Sequence, residues 1–264
     1  MVSFKGTGPS SSTTAALIAI LSCITELLHT HTHVHCITFD YSKAFDTISH
    51  TSLVSKLACI QIPDNIHNWI INYLTGRTQS TRIGNQQSSP LPINAGIVQG
   101  SVLGPTLFNI NSSDLLPMSN LNRYFKYADD GYLIVPASNS FTIPSELKHH
   151  AAWAASCNLK LNLTKTAELI FTNSRAKNVD PTLGIERVAS MKILGVIVDN
   201  KLNFTEHIDA TLNSCNQLLF ALRTMRQHGL SNHCLNIVFK SAVISKLLYA
   251  APCYWGFLSG PVIT

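Results

Sequence analysis

The sequence predicts an α+β fold, in which short strands and amphipathic helices alternate along the chain. Residues 125–135 (Phe-Lys-Tyr-Ala-Asp-Asp-Gly-Tyr-Leu-Ile-Val) place a turn between two hydrophobic, aromatic-rich runs, which is typical of a β-hairpin. Residues 36–40 form another β-type run, and this run ends in an acid. After residue 204, apolar residues recur at helical spacing in two successive stretches. With 45% hydrophobic and 12% charged residues, the 264-residue chain can bury one large core or two subdomains.

The other elements follow from local signals at their ends. Ser11, Ser12 or Thr13 can cap a helix that runs to about residue 29, and Gly76 ends a later helix. The predicted elements after the first helix are, in order and with approximate bounds, a strand to residue 40, helices over 53–60 and 63–74, a hairpin over 78–95, a helix to 116, the hairpin at 125–135, a helix over 144–156, a strand over 168–172, a two-stranded unit over 184–200 and two helices over 208–225 and 235–243.

Three carboxylates stand at the ends of predicted strands. Asp129 and Asp130 occupy the hairpin tip, and Asp40 ends the earlier strand. Adjacent like charges repel each other, so a cation is their natural partner. If the two strands are neighbours in one sheet, their acids can hold a pair of divalent ions about 3.5–4 Å apart, as in two-metal phosphoryl transfer. Mg²⁺ suits such a site, while an ordinary acidic surface turn is the alternative.

Residues 96–105 (Gly-Ile-Val-Gln-Gly-Ser-Val-Leu-Gly-Pro) form a glycine-rich loop that leads into a helix. Its glycines allow close backbone approach or positive φ angles. Gln99 offers a donor and an acceptor, which suits contact with a base or a sugar. Taken alone, this stretch fits a purely structural turn equally well.

The ordered set of these stretches resembles the reverse transcriptases of non-LTR (LINE-like) retrotransposons. Two later stretches agree with this resemblance, one similar to the family's fourth polymerase motif and one to its primer-grip segment. The matching segments are residues 39–46 (Phe-Asp-Tyr-Ser-Lys-Ala-Phe-Asp), 96–101 (Gly-Ile-Val-Gln-Gly-Ser), 127–130 (Tyr-Ala-Asp-Asp), 158–166 (Asn-Leu-Lys-Leu-Asn-Leu-Thr-Lys-Thr), and 192–196 (Lys-Ile-Leu-Gly-Val) with 199–204. Each motif is weak or moderate by itself, whereas their order over roughly residues 36–204 is specific.

The resemblance implies a reverse-transcriptase-type palm, an antiparallel sheet packed on helices, with a truncated fingers segment and a partial helical thumb. We expect a remnant of the fingers over residues 1–34, the palm over 35–205 and partial thumb helices over 206–264. Residues 4–14 are similar to the end of a fingers motif, with Lys5 at the position of an arginine. Lysine keeps the charge there but loses the bidentate fork for phosphate.

By the same resemblance, Asp40 and Asp129 match the two metal-binding acids and Asp130 matches a third, more peripheral one. The Tyr41 backbone carbonyl matches an additional metal ligand. Lys165 matches a lysine near the triphosphate, where it could steady the charge on pyrophosphate or act as an acid. A solvated lysine is the equally weighted alternative. The implied cofactor is two Mg²⁺ ions, with Mn²⁺ as a substitute.

The resemblance also places three residues at the dNTP pocket. Phe45 matches the aromatic under the incoming sugar, where a flat apolar ring leaves no room or partner for a 2′-hydroxyl and so favours DNA as product. Gln99 and Gly100 match the loop that shapes the nascent base pair. A core aromatic is the structural alternative for Phe45.

The implied function is RNA-directed DNA polymerase activity, with an RNA template, a DNA primer and dNTPs as partners. The alternative is a catalytically inactive retroelement remnant that at most binds nucleic acid. The formal net charge of +5 suits a polyanionic partner without demonstrating one. Lys and Arg are spread along the chain rather than clustered.

Cysteine and histidine usage carry smaller predictions. The seven widely spaced cysteines indicate free thiols in a reducing, intracellular compartment, with nucleus and cytoplasm unresolved. The apolar stretch 15–28 contains Glu26 and is predicted to be a buried or amphipathic helix, so no membrane partner is expected. The alternating histidines are expected on a solvated strand edge or loop, with adventitious metal affinity as the alternative; they are His29, His31, His33 and His35.

Overall fold

The computed structural model describes residues 12–173, 179, 181–182 and 184–257. The similarity of residues 4–11 to a fingers motif, including Lys5, lies outside the described residues. The helices are α1 (Thr13–Thr30), α2 (Ala44–Thr47), α3 (His50–Leu57), α4 (Asp64–Leu74), α5 (Gly104–Asn111), α6 (Ile143–Ser156), α7 (Thr205–Gln227), α8 (Asn232–Val238), α9 (Ser245–Leu248) and α10 (Ala251–Tyr254). The strands are β1 (His33–Phe39), β2 (Tyr41–Ser42), β3 (Thr78–Gln79), β4 (Arg82–Ile83), β5 (Gln86–Gln87), β6 (Leu91–Pro92), β7 (Arg123–Tyr127), β8 (Asp130–Pro136), β9 (Lys160–Leu161), β10 (Ala167–Thr172), β11 (Glu186–Arg187), β12 (Ser190–Ile193) and β13 (Val196–Asp199).

The main sheet has five strands in the order β11-β10-β1-β8-β7. Its pairs are antiparallel, except that the short edge strand β11 joins β10 in parallel. The predicted α+β fold with a central antiparallel sheet is therefore confirmed. β1 lies in the middle of the sheet, and the neighbouring strand β8 begins directly after the turn of the β7–β8 hairpin. The strands that carry the predicted acids are thus direct neighbours.

Each face of this sheet is covered by a hydrophobic layer. Side chains alternate along β1, so that Cys36 belongs to one buried cluster and Ile37 to the other. The first cluster contains α1, whose Ser12 side chain accepts a hydrogen bond from the Ala15 amide at 3.1 Å. The second contains residues of α3 to α6, such as Leu53 and Leu107. The fold positions the ends of β1 and β8 at the rim between these layers.

The expectation for the alternating histidines is wrong for His35. This side chain is 2% exposed, because β1 is a central strand rather than an edge. Its Nδ1 lies 2.8 Å from Oε1 of the buried Glu168, a diagonal neighbour on β10. Arg187 on β11 approaches the other oxygen of Glu168 at 2.8 Å. His35 therefore belongs to a buried polar contact that joins β1, β10 and β11.

Most predicted helices and strands are present, with shifted ends. The helix after the glycine-rich loop ends at Asn111, about one turn before the predicted residue 116. The second C-terminal helix is α8 followed by a π-helical turn over Phe239–Ile244. On α7 only His207 and Cys215 are buried, so most of its apolar stripe stays at least partly exposed. The predicted limits of fingers, palm and thumb remain predictions.

Two segments of the described chain are long and apolar enough to cross a membrane by length and composition, namely α1 and Asn232–Phe257. In α1, one face is buried against the sheet, as in a core helix of a globular protein. The absence of a membrane partner stays a prediction.

Candidate active site

The register between β1 and β8 brings two of the predicted acids together. Phe39 pairs with Gly131, so continuing the antiparallel register by one residue places Asp40 opposite Asp130. Tyr127 pairs with Asp130, which leaves Ala128 and Asp129 as the two central residues of the turn. The predicted Asp-Asp-Gly turn is therefore displaced by one residue, and Asp130 begins the strand.

Two residues with a Cβ adopt left-handed backbone angles beside the acids. Ala128 has φ 51°, and Lys43 has φ 51° and ψ 44° just before α2. Such angles cost a non-glycine residue roughly 1–2 kcal/mol and persist only where the surroundings impose them. Backbone strain is thus present where the strand ends meet, as it is elsewhere in the described chain at Asn158, Leu194, Leu202 and Ala250.

A second contact fixes the backbone that follows Asp40. β2 pairs with β9, with Tyr41 opposite Leu161, and the Asn162 amide donates a hydrogen bond to the Asp40 carbonyl at 2.8 Å. This pairing brings the loop of Lys165 to the acid. The Lys165 Nζ lies 3.7 Å from the Asp40 Oδ2, although 67% of the lysine side chain is exposed. The predicted lysine therefore stands at the acids rather than in a remote solvated loop.

The glycine-rich loop is bonded to the segment after Asp40. The Ile97 amide donates to the Phe45 carbonyl at 2.6 Å, and the Gly96 amide donates to the Ile48 carbonyl at 2.8 Å. Gly96 has φ 91°, and a Cβ on it would lie 2.8 Å from the Asp46 carbonyl oxygen. Only glycine fits this close approach. The residues of the two motifs that were predicted to form the nucleotide pocket are thus held side by side.

Sequence reasoning missed the partner of Gln99. The Gln99 Nε2 donates a hydrogen bond to the Asp46 Oδ1 at 2.7 Å, which fixes the orientation of the amide. Asp46 belongs to the quoted acidic motif, but its spacing from Gln99 (99 − 46 = 53 positions) gives no signal of contact in a single sequence.

Most of the predicted residues line one cleft of about 880 Å³. Ser42, Lys43 and Asn162 also line it, and sequence reasoning did not assign them. The predicted residues on its wall are Asp40, Tyr41, Phe45, Gln99, Gly100, Asp129 and Lys165. Asp130 faces an adjoining cavity of about 510 Å³, whose walls it shares with Asp40 and Lys165. The structure thus brings seven predicted residues to one cleft and sets Asp130 at its margin.

Phe45 stands between the cleft and the core. Its half-buried ring lies 4.9 Å from the ring of Phe108 on α5, tilted by 31°. One part of the ring therefore packs in the core while another part lines the cleft. The structural interpretation of Phe45 is thus confirmed for part of the ring, and the functional one stays a prediction.

The electrostatics of the site favour a cation. The Asp130 side chain reaches the surface, yet partial desolvation, followed by the charges of Asp129 and Asp40, raises the pKa of its carboxyl above the ordinary value. This shift reports burial first and the negative charge of the two neighbouring carboxylates second. Within the described ranges no group of three His, Cys, Asp or Glu side chains is arranged as a metal-ligand cluster. Mg²⁺ fits such an incomplete set, because it commonly binds one or two carboxylates and completes its shell with water and substrate phosphates.

A buried aromatic cluster supports the strands that carry the acids. The Tyr124 hydroxyl on β7 occupies the space that a Cβ on Gly131 would fill. The His150 ring on α6 stacks on Phe39 with centroids 4.1 Å apart and planes 5° from parallel. Burial lowers the pKa of His150 to about 3, so this ring stays neutral. Phe39, which precedes Asp40, and Gly131, which follows Asp130, are therefore tightly packed against this aromatic cluster.

Comparisons with known proteins agree with this geometry. The profile of the family described as "Reverse transcriptase (RNA-dependent DNA polymerase)" matches residues 7–198. The chain is 28% identical over 236 residues to the RNA-directed DNA polymerase from mobile element jockey of Drosophila melanogaster, covering 81% of this chain and 25% of that protein. It is 30% identical over 191 residues to the probable RNA-directed DNA polymerase from transposon X-element of the same species, covering 64% and 20%. The chain thus spans about a quarter of the length of the relatives that it matches over most of its residues.

Solved structures with the same fold include telomerase from Candida tropicalis. The apo form truncated from its C-terminal domain superposes with a TM-score of 0.52 at 18% identity, over 73% of this chain and 39% of the telomerase chain. The form in complex with a fragment of telomeric RNA gives a TM-score of 0.56 at 16% identity, over 73% and 33%. At this level of identity the likeness concerns the fold. Together with the match over residues 7–198, it confirms the resemblance inferred from the motifs, and the chain belongs to the reverse transcriptase (RNA-dependent DNA polymerase) family.

Proposed function

We propose that this chain catalyses RNA-templated DNA synthesis by two-metal nucleotidyl transfer from a dNTP to a primer 3′-hydroxyl. The observation that carries the proposal is the convergence of Asp40, Asp129 and Lys165 on one cleft that the Gln99 loop also lines. In this reaction the primer 3′-oxygen forms a bond to the α-phosphorus, the bond from that phosphorus to the β-phosphate oxygen breaks, and pyrophosphate leaves. The proton of the hydroxyl passes to water.

The acids are proposed to hold the cofactor. Asp40, Asp129 and the Tyr41 carbonyl would ligate two Mg²⁺ ions, or Mn²⁺ in their place, with Asp130 at the margin. When bound, the ions would lower the pKa of the primer hydroxyl and neutralise charge on the departing pyrophosphate. Lys165 is proposed to move from its ion pair with Asp40 towards the β- and γ-phosphates, since its side chain is largely exposed. There the ammonium would stabilise charge that develops on pyrophosphate.

The other wall of the cleft is proposed to select the nucleotide. Gln99 and Gly100 would contact the nascent base pair, with the Gln99 amide held by Asp46 at 2.7 Å. Phe45 would lie under the sugar and exclude a 2′-hydroxyl, because its ring is fixed against Phe108. An RNA template and a DNA primer are the proposed partners. A reducing intracellular compartment is the proposed location, and it suits seven cysteines that are all free thiols.

Primer extension tests the proposal. The purified chain is given an RNA template, a DNA primer, dNTPs and Mg²⁺, and the Asp129→Asn variant keeps the side-chain shape while it removes the charge. We expect extension by the parent and a loss of at least about a thousandfold in the variant, since a metal-ligating carboxylate is removed. Asp209→Asn on the exposed face of α7 is the matched control and should extend as the parent does.

Two outcomes would contradict the proposal. Equal extension by the parent and by Asp129→Asn would remove Asp129 from the site. Nucleic-acid binding that falls steeply with salt, without any extension at high dNTP, would instead support the inactive remnant.

A further inference from the structure

An exposed ladder of planar groups lies on α4 and just beyond its end, on the segment between the acidic motif and the glycine-rich loop. The rings of Trp69 and Tyr73 stack with centroids 6.0 Å apart and planes 22° from parallel. The Arg77 guanidinium continues the series, with its Cζ 5.1 Å from the Tyr73 ring centroid. The Arg77 Nε donates to the Tyr73 carbonyl at 2.6 Å, which holds the guanidinium in place. We name these three residues the α4 ladder.

The α4 ladder lies on the flank of the helix beside its buried face. The buried residues of the helix are Ile70 and Leu74, Tyr73 is partly buried against the core, and Trp69 and Arg77 are exposed. Trp69 is 55% exposed, although a tryptophan of this size gains several kcal/mol from burial. The ladder spacing of i, i+4 and i+8 stabilises the helix only by a few tenths of a kcal/mol per pair. An ordered stack whose two ends, Trp69 and Arg77, are exposed can therefore accept a further planar group by stacking.

The charges around the ladder favour a polyanion. Between residues 57 and 100 the acids comprise Asp64 alone, which stands at the first turn of α4. Arg77, the last member of the ladder, and Arg82 on β4 are both exposed. Aromatic rings next to guanidinium groups are the usual surface for single-stranded nucleic acid, in which unpaired bases stack and phosphates meet the cations. A protein partner that binds by apolar contact would gain little from the two arginines.

The ladder is also close to the catalytic cleft along the chain. The Ile93 amide donates to the Arg77 carbonyl at 2.8 Å, and Gln99 on the cleft wall follows six residues later. An extended chain of six residues spans at most about 20 Å. Stacked nucleotides at about 3.4 Å each would cover this distance in about six steps.

We propose that the α4 ladder is a stacking platform for unpaired bases of a single-stranded template, outside the cleft, with Arg77 at most about six nucleotides from Gln99. The inference deepens the proposed function, because it places template where the cleft does not reach. It predicts that Trp69 contributes to the affinity for single strands and little to the affinity for fully paired duplex.

Fluorescence anisotropy of a labelled single-stranded RNA of about 16 nucleotides tests the ladder without dNTPs. Trp69→Ala should weaken binding roughly 5- to 150-fold, as expected for the loss of one stacked base. Trp255→Ala is the matched control, because Trp255 is 58% exposed at a distant position and should leave the affinity within twofold. Arg77→Gln should lower the slope of log affinity against log salt by about one. Circular dichroism should show folded protein for each variant.

The result that would overturn the ladder is an equal loss, or no loss, for Trp69→Ala and Trp255→Ala. A Trp69→Ala variant with unchanged RNA affinity but diminished self-association in sedimentation would also overturn it, since the face would then bind protein. The Asp129→Asn variant distinguishes a failure of the ladder proposal from a failure of the proposed reaction. That variant should bind the RNA as the parent does while it extends no primer.

Discussion

Replacing Gly131 by alanine is the sharpest test of how the acids are supported. A Cβ at this position would overlap the Tyr124 hydroxyl and lie 2.9 Å from the Cζ and 3.3 Å from the Cε2 of the same ring. Tyr124 is 6% exposed and cannot swing away freely, because its ring packs on His150 with centroids 4.6 Å apart. Overpacking of this kind costs typically about 1–3 kcal/mol. We therefore expect Gly131→Ala to lower the free energy of unfolding by about 2 kcal/mol.

Urea unfolding measures this loss as a lower midpoint at an unchanged slope. Tyr124→Phe removes the overlapping hydroxyl but leaves the ring carbon at 2.9 Å, so the double variant should recover only part of the loss. Gly256→Ala is the control, because nothing lies within 4 Å of the Cβ it would add. A Gly131→Ala protein as stable as the parent, or losses that simply add in the double variant, would refute the packing described here.

Three further predictions concern buried or strained groups. The pKa of His150 is about 3, below its ordinary value of 6.5, so the unfolded chain binds a proton first and stability falls as pH drops from 6.5 towards 3. His150→Phe should remove roughly 2–3 kcal/mol of the loss between pH 7 and pH 4.5, measured as urea midpoints at both values. Burial would raise the pKa of Glu168, but hydrogen bonds led by the one to His35 and including Arg187 lower it to about 2. The resulting stability is present above pH 4.5 and is lost towards pH 2, so Glu168→Gln should cost about 3 kcal/mol at pH 7 and less at pH 3. Ala128→Gly should relieve the φ of 51°, raise the free energy of unfolding by about 0.5–1 kcal/mol and so raise the thermal midpoint. A lower midpoint would contradict the inference that Ala128 is strained.

Local signals were sufficient for much of the secondary structure. The hairpin that carries Asp129, the strand that ends before Asp40 and the helix over residues 143–156 follow from turn residues and apolar spacing. The convergence of the acids was predicted from the ordered motifs, because the family that they resemble places these acids at one site. The displacement of the turn to Ala128 and Asp129 could not be foreseen, because it requires an alanine at a left-handed φ that its sequence does not favour.

Contacts distant in sequence account for the misses. His35 was expected in solvent, since nothing local distinguishes a central strand from an edge strand with the same alternation. Its burial depends on Glu168, 133 residues away, and on Arg187 beyond it. Asp46 and Gln99 likewise meet only because the glycine-rich loop bonds to the segment after Asp40. Such pairings are decided by packing of the whole sheet and its helices, which single-sequence patterns do not encode.

The bonds from Gly96 and Ile97 to the segment after Asp40 have a consequence for how the cleft opens. The loop and that segment share two backbone hydrogen bonds, and His50 Nε2 lies 2.7 Å from the Gly96 carbonyl oxygen. We therefore expect the loop and the segment to move together. Their amide protons should show one common free energy of opening in hydrogen exchange, as members of a single cooperative unit. Any widening of the cleft is then expected on the side of Lys165, whose loop is attached through the short β2–β9 pair.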